Sequence, residues 1–349
     1  MKVGIIGLPS SGKTTLFNAL TRSAAKVSAF GKASKDPNLA TLSVPDHRVD
    51  RLSEIYRPKK TTYAQVQYVD VAGGISAKDE KSGALDQLLK HLRPVDALVH
   101  VVRNFDLAGQ PPRPQQDLEE LESELVFSDL IIVERRIERL RSDIKKGKKA
   151  DTKEIELLEK ARAILDQGKA LRIHEELVNS PLLKGYAFLS AKPCIVVLNS
   201  GDDVEPGTTR LTPPQGVPLL EIKGKLEMEL SQLSEQEAKA FRDELGLSEP
   251  ATNQLIRISY DLLGLISFFT VGQDEVRAWN IRKGTIAQKA AGTVHSDMER
   301  GFIRAEVVHY DDLIELGSHA ACQKAGKVRL EGKEYVVRDG DIINFRFNV

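Results

Sequence analysis

Residues 2–15 read Lys2-Val3-Gly4-Ile5-Ile6-Gly7-Leu8-Pro9-Ser10-Ser11-Gly12-Lys13-Thr14-Thr15, and a helix-forming run, Leu16-Phe17-Asn18-Ala19-Leu20, follows. A short apolar strand, a glycine-bounded loop and a helix start, in that order, give G-x-x-x-x-G-K-[ST], the spacing that cradles nucleotide phosphates. Pro9, Ser10, Ser11, Gly12, Lys13, Thr14 and Thr15 are therefore the expected phosphate-binding residues, acting largely through backbone N–H groups at the helix N-terminus. Lys13 is expected to reach the β and γ oxygens as the catalytic cation, and the Thr14 hydroxyl to ligate Mg²⁺. Gly7 and Gly12 let the backbone turn and approach the phosphates in conformations that a Cβ penalises. A plain strand-to-helix turn that contains Gly-Lys-Thr is the alternative; the flanking strand and helix are the context that the phosphate reading requires.

Further along, Ala64 to Val69 alternates as a strand and delivers Asp70, followed by Val71-Ala72-Gly73. In an open α/β sheet ligands gather beyond the carboxyl ends of the strands. This D-x-x-G therefore predicts Asp70 as a Mg²⁺ holder, directly or through water, and the Gly73 N–H as a second catalytic group facing the γ-phosphate. Gly74 stands where many GTPases carry a glutamine that orients the attacking water, so hydrolysis is expected to be slow in isolation. The polar stretch 29–38 reads as a switch loop feeding an edge strand at 39–44, with Ser34 as its candidate Mg²⁺ ligand; a solvated loop serine is the alternative. Apolar runs at 96–102, 194–198 and 217–222 read as buried parallel strands and bring the sheet to six. His100, inside one of them, reads as a core histidine. The run at 194–198 leads into Asn199-Ser200-Gly201-Asp202, where a base-recognition loop belongs. Asn199, Ser200 and Asp202 are its candidates, and the Asp202 carboxylate suits the N1 and N2 protons of guanine. Ordinary turn chemistry explains the same four residues without a ligand.

Lys+Arg and Asp+Glu both total 50, so net charge points to neither nucleic acid nor membrane. At 349 residues two to three domains are expected. Cys194 and Cys322 read as reduced core residues, no run approaches a membrane span, and no leader is visible ahead of the first strand, so the cytoplasm is the expected location. A charged segment at 115–178 reads as an inserted helical hairpin. Leu130, Val133, Ile137, Leu140 and Ile144 form one side of a coiled-coil seam, and a second helix, opened by a capping-box-like Asp151 and Glu154, brings Ile155, Leu158, Ala161 and Leu165. Lysines at 145–149 mark its tip, either solvated or gripping a phosphate backbone. From about residue 265 short β-rich runs alternate with turns and predict a small α+β domain. The expected division is a P-loop domain in two parts, 1–114 and 179–264, the insert at 115–178 and the C-terminal domain at 265–349. Arg277, Trp279, Arg282 and Lys283 combine basic and aromatic character; Trp279 reads first as core. His295 and Asp297 read as loop structure rather than as a catalytic pair.

The order of these parts, together with three further stretches, resembles the YchF (Obg-like ATPase) family of P-loop NTPases across essentially the whole chain. The stretches are Val44-Pro45-Asp46-His47-Arg48-Val49-Asp50 with Glu54 to Lys60, Asp96 to Arg103, and a C-terminal block. That block holds Val276-Arg277-Ala278-Trp279, Gly301 to Val307 and Asp339 to Val349. The resemblance implies an α/β fold: a Ras-like P-loop NTPase domain with an inserted coiled-coil hairpin and a C-terminal β-grasp-like TGS domain. It also implies GTP or ATP with Mg²⁺ as the ligand, and nucleotide-dependent association with ribosomes or other RNA through the TGS domain and the insert, with no reading of DNA sequence. The chain departs from the family pattern at Ser10, usually asparagine, and at 34–38, where the family carries a T-I-E-P-N stretch. It departs again at Asn199 to Asp202, a mixture of N-x-x-E and N-K-x-D, and at Lys223-Gly224, where Ser-Ala is usual. Guanine and adenine both stay open, as do a nucleotide-binding adaptor with negligible turnover and an RNA-binding module with a regulatory nucleotide site.

Overall fold

Val3, Ile5 and Ile6 are buried because β1 (Lys2–Ile6) runs through the middle of a six-stranded sheet. The sheet order is β2-β4-β1-β5-β6-β7, with β2 (Asn38–Ser43), β4 (Gln65–Asp70), β5 (Ala97–Asn104), β6 (Cys194–Ser200) and β7 (Leu219–Ile222). β1 pairs in parallel with β4 (Gly4 beside Val69) and with β5 (Gly4 beside Leu98); β5, β6 and β7 continue in parallel. The near-continuous apolar runs of β5 and β6 are what a parallel strand covered on both faces requires. These are the six strands expected from the sequence. The computed structural model describes residues 1–23, 38–71, 89–149 and 151–348. Ser34, Gly73 and Gly74 lie outside the described residues.

Helix α1 (Lys13–Ser23) leaves the loop after β1. The long α3 (Pro114–Lys145) has proline in its first turn, where the missing N–H costs nothing. Its first half buries Leu118, Leu121 and Leu125 in the sheet core beside Leu98, Val102 and Val196. Its second half sends Val133, Ile137 and Leu140 against Leu157, Leu158, Ala161 and Leu165, all on α4 (Thr152–Leu165). The hairpin seam is thus shorter than expected: Ile144 is 47% exposed. Asp151 caps α4, accepting the N–H groups of Lys153 and Glu154 at 2.9 and 3.4 Å. The capping box expected there does not close, because the Glu154 carboxylate accepts from Arg136 Nε at 3.0 Å and from the Tyr186 hydroxyl. Asp129, fully buried on α3, accepts the N–H groups of Leu189 and Ser190 at 3.0 and 2.7 Å, tying the insert to the segment that leads into β6. Three helices follow: α5 (Gly224–Leu230), which packs on α1, then α6 (Glu235–Glu244) and α7 (Ala251–Leu262).

The chain divides into two compact units, residues 1–42 with 67–255 and residues 43–66 with 256–349. The second differs from the sequence expectation, which ran the nucleotide domain unbroken from 1 to 114. Residues 43–66 form α2 (His47–Tyr56) and β3 (Lys60–Thr62), and both are built into the C-terminal unit. Its sheet order is β11-β10-β12-β8-β9-β3, from β8 (Leu265–Val271), β9 (Glu275–Arg282), β10 (Phe302–His309), β11 (Arg329–Glu331) and β12 (Asp341–Phe347). Among the β-rich runs, residues 335–337 contribute only a bridge between Val336 and Ile286. Phe268, Ile281, Val307 and Phe345 make a core with Ala287, Ala290 and Ala291 of α8 (Ala287–Val294). Trp279 is half-buried, stacked on Phe268, with Nε1 donating to Thr270 Oγ1 at 2.9 Å and the Arg277 guanidinium 3.8 Å over its ring. His295 Nδ1 accepts the Asp297 N–H at 3.2 Å as the cap of α9 (Ser296–Arg300).

Candidate nucleotide site

The loop between β1 and α1 lies at the carboxyl edge of the first sheet, where β4, β5 and β6 also end. Gly12 has φ 92°, and a Cβ there would drive into the Asn199 side-chain amide, so both conformation and space demand glycine. Ser10 also adopts the left-handed region, at φ 60°, a conformation that costs a side chain roughly 1–2 kcal/mol. Lys13 is folded back on the loop, with Nζ donating to the carbonyls of Gly7 and Leu8 at 3.1 and 2.9 Å. Burial lowers its pKa to about 8, against the opposing pull of Asp70.

At the end of β4, Asp70 Oδ2 accepts from Thr14 Oγ1 at 3.3 Å, while Oδ1 is buried with no hydrogen-bond partner among the described residues. Burial pushes the Asp70 pKa up; hydrogen bonds from Thr14 and Asn38 and the charge of Lys13 pull it down. A buried carboxylate oxygen without a donor, beside a threonine hydroxyl, is a hard oxygen pair of the kind that suits Mg²⁺, which completes its shell with substrate oxygens and water. A cavity of about 520 Å³ opens here, lined by Pro9, Ser10 and residues 12–15 on one side and by Val71, Phe105 and Leu107 on the other. Phe105 and Leu107 were not singled out in the sequence. Their signal was positional, since both directly follow the carboxyl end of β5.

The three base-loop candidates separate into different roles. Asn199 is a strut: Nδ2 donates to Ser11 O at 3.0 Å, and Oδ1 accepts the Gly224 N–H at 3.0 Å. It fixes the phosphate loop to the start of α5. Ser200 does not face the cavity as a free hydroxyl. It is buried, accepts from Asn104 Nδ2 at 2.8 Å and donates to Glu221 Oε1 at 2.6 Å. Asp202 alone stands at a solvent-open edge, its Oδ2 3.3 Å from Lys225 Nζ and its carbonyl accepting from Lys223 Nζ at 2.9 Å. His100 takes no part in the cavity. It is enclosed in the core with Nδ1 3.9 Å from Glu122 Oε1, and burial holds its pKa down.

The same two parts appear in comparisons with known proteins. A family model described as a 50S ribosome-binding GTPase matches residues 2–136, and the YchF-GTPase_C model, described as a protein of unknown function, matches residues 265–348. The chain is 39% identical to the Ribosome-binding ATPase YchF of Bacillus subtilis, with all of both chains covered. The chain belongs to the YchF family. It is also 36% identical to the Ribosome-binding ATPase YchF of Escherichia coli O157:H7, covering 100% of this chain and 99% of that protein. With Obg-like ATPase 1 of Oryza sativa subsp. japonica it shares 36% identity over 100% of this chain and 92% of the relative. The solved structure of the Schizosaccharomyces pombe YchF GTPase superposes with a TM-score of 0.81 at 32% identity, covering 99% of this chain and 97% of that one. The YchF architecture thus accounts for the whole chain: a P-loop GTPase-type domain and the YchF C-terminal domain.

Proposed function

We propose that this YchF-family chain binds a purine nucleoside triphosphate with Mg²⁺, hydrolyses it slowly, and uses the nucleotide state to control association with ribosomes or other RNA in the cytoplasm. The observation that carries the proposal is that Lys13 and Thr14, which line the cavity, stand beside Asp70 with its unpartnered carboxylate oxygen. The Lys13 ammonium exchanges the Gly7 and Leu8 carbonyls for β and γ oxygens, trading neutral acceptors for charged ones. Thr14 and Asp70 would hold the metal, with Ser34 as the proposed further ligand, and the chemistry supplied there would be neutralisation of phosphate charge. The Gly73 N–H is assigned to the γ-phosphate, and Gly74 supplies no side chain to orient water, which supports slow turnover without a partner. Phosphate release by Lys13→Ala tests the enzymatic part. A loss of about a hundredfold or more is expected, and unchanged turnover overturns it.

The relatives' names support ATP and ribosome binding, the latter assigned here to the C-terminal domain and the insert. Asp202 leaves a route to guanine, at the cost of separating its carboxylate from Lys225. Calorimetry with ATP and GTP analogues on wild type and Asp202→Ala separates the two. Selective loss of guanine affinity supports a bidentate Asp202, and equal losses refute it.

A further inference from the structure

β2 and β4 are neighbours in the first sheet, and adjacent strands are commonly joined by only a few residues. Here the connection is residues 44–64, and all of it belongs to the other unit. β3 runs parallel to β9 with Lys60 beside Glu275 and Thr62 beside Arg277, and Thr62 Oγ1 donates to Glu275 Oε1 at 2.6 Å. α2 buries Val49 and Leu52 and packs on β8 and β9. Arg48 locks the arrangement: it pairs with Asp46 at 2.8 Å and Asp339 at 2.7 Å and lies 5.1 Å over the Phe269 ring. Asp339 in turn accepts the Ser267 N–H at 2.8 Å.

Both ends of this strap lead to the metal-binding carboxylate. β4 terminates in Asp70, and Asn38, the first residue of β2, hydrogen-bonds to the Asp70 side chain. We infer that residues 43–66 couple the nucleotide site to the C-terminal unit, with Arg48 as a positioning residue that acts on Asp70 through β2 and β4. The inference rests on the nucleotide reading proposed above. Because coupling between binding equilibria is reciprocal, a macromolecule that engages the C-terminal unit shifts nucleotide affinity by the factor with which nucleotide shifts its own. The strap is a covalent route: a displacement of either strand that frames Asp70 pulls on an edge strand and a covering helix of the other sheet.

Hydrogen exchange on the full chain, with and without Mg²⁺ and a non-hydrolysable ATP or GTP analogue, tests this alongside calorimetry on the same samples. The expected result is changed amide protection in 47–62 and in β9 as the nucleotide saturates. Measured binding with changes confined to 1–42 and 67–255 overturns the coupling while leaving the nucleotide reading intact. Absence of binding to either analogue overturns both. Arg48→Ala should raise the Mg²⁺ concentration for half-maximal nucleotide binding by roughly fivefold or more, with partial rescue by Arg48→Lys. An unchanged Mg²⁺ requirement in a folded Arg48→Ala overturns the role of Arg48, and the wild-type exchange result stands if that variant does not fold.

Discussion

Burial of Lys13 shifts its charge equilibrium, and a pH dependence follows. Its folded pKa is near 8 while the unfolded value is 10.5, so between those values the unfolded chain binds more protons. The stability contribution of Lys13 in the empty protein therefore rises with pH through that window. Nucleotide binding runs the other way, because phosphates favour the ammonium. Affinity should be level below pH 8 and fall by up to about tenfold per pH unit above it, with proton uptake visible when calorimetry is repeated in buffers of different ionisation heat. Arg57, an exposed residue at φ 44° that caps α2, gives a stability prediction. Arg57→Gly should stabilise by about 0.5–1 kcal/mol in urea unfolding, the relief of left-handed strain less the entropy glycine adds to the unfolded chain. Asn199→Ala should cost about 2–3 kcal/mol and weaken ATP and GTP alike, since it strands the Ser11 carbonyl and the Gly224 N–H. That Lys13, Thr14 and Asp70 lie together was legible from spacing, because each sits at or next to a strand end of the same sheet edge. The duty of Ser200 was not: its partners Asn104 and Glu221 come from two other strands.

At the scale of elements, the strands at 2–6, 96–102, 194–198 and 217–222 could be read from apolar runs, the strong local signal that buried parallel strands leave, while 64–69 was read from alternation and 39–44 as an edge strand. β3 escaped notice because Lys60-Thr61-Thr62 is short and polar and is a strand only by pairing with β9 more than two hundred residues later. The insert was legible as a hairpin with a seam opening near Leu130, but the double duty of α3, whose first half packs in the sheet core and whose second half packs on α4, was not. Asp129 joins these elements. Asp129→Ala should destabilise by about 3 kcal/mol in thermal or denaturant unfolding, by leaving two buried N–H groups without their acceptor and removing the carboxylate that faces Arg93.

For the whole molecule, the division into units is discontinuous in sequence, and composition along the chain carries no trace of it. The C-terminal sheet takes its sixth strand from residues 43–66, so the matched segment 265–348 lacks part of its own unit. A fragment of residues 256–349 alone should be markedly less stable than the same unit in the full chain, with exposed Phe269 and Val276 giving increased dye binding. If Asp70, Thr14 and Lys13 make a Mg²⁺-dependent phosphate site, a titration of Mg²⁺ against nucleotide binding in wild type and Asp70→Asn will report it. The prediction is a Mg²⁺-dependent gain in affinity in wild type and a shift of its midpoint by roughly tenfold or more in the variant; superimposable curves would contradict it.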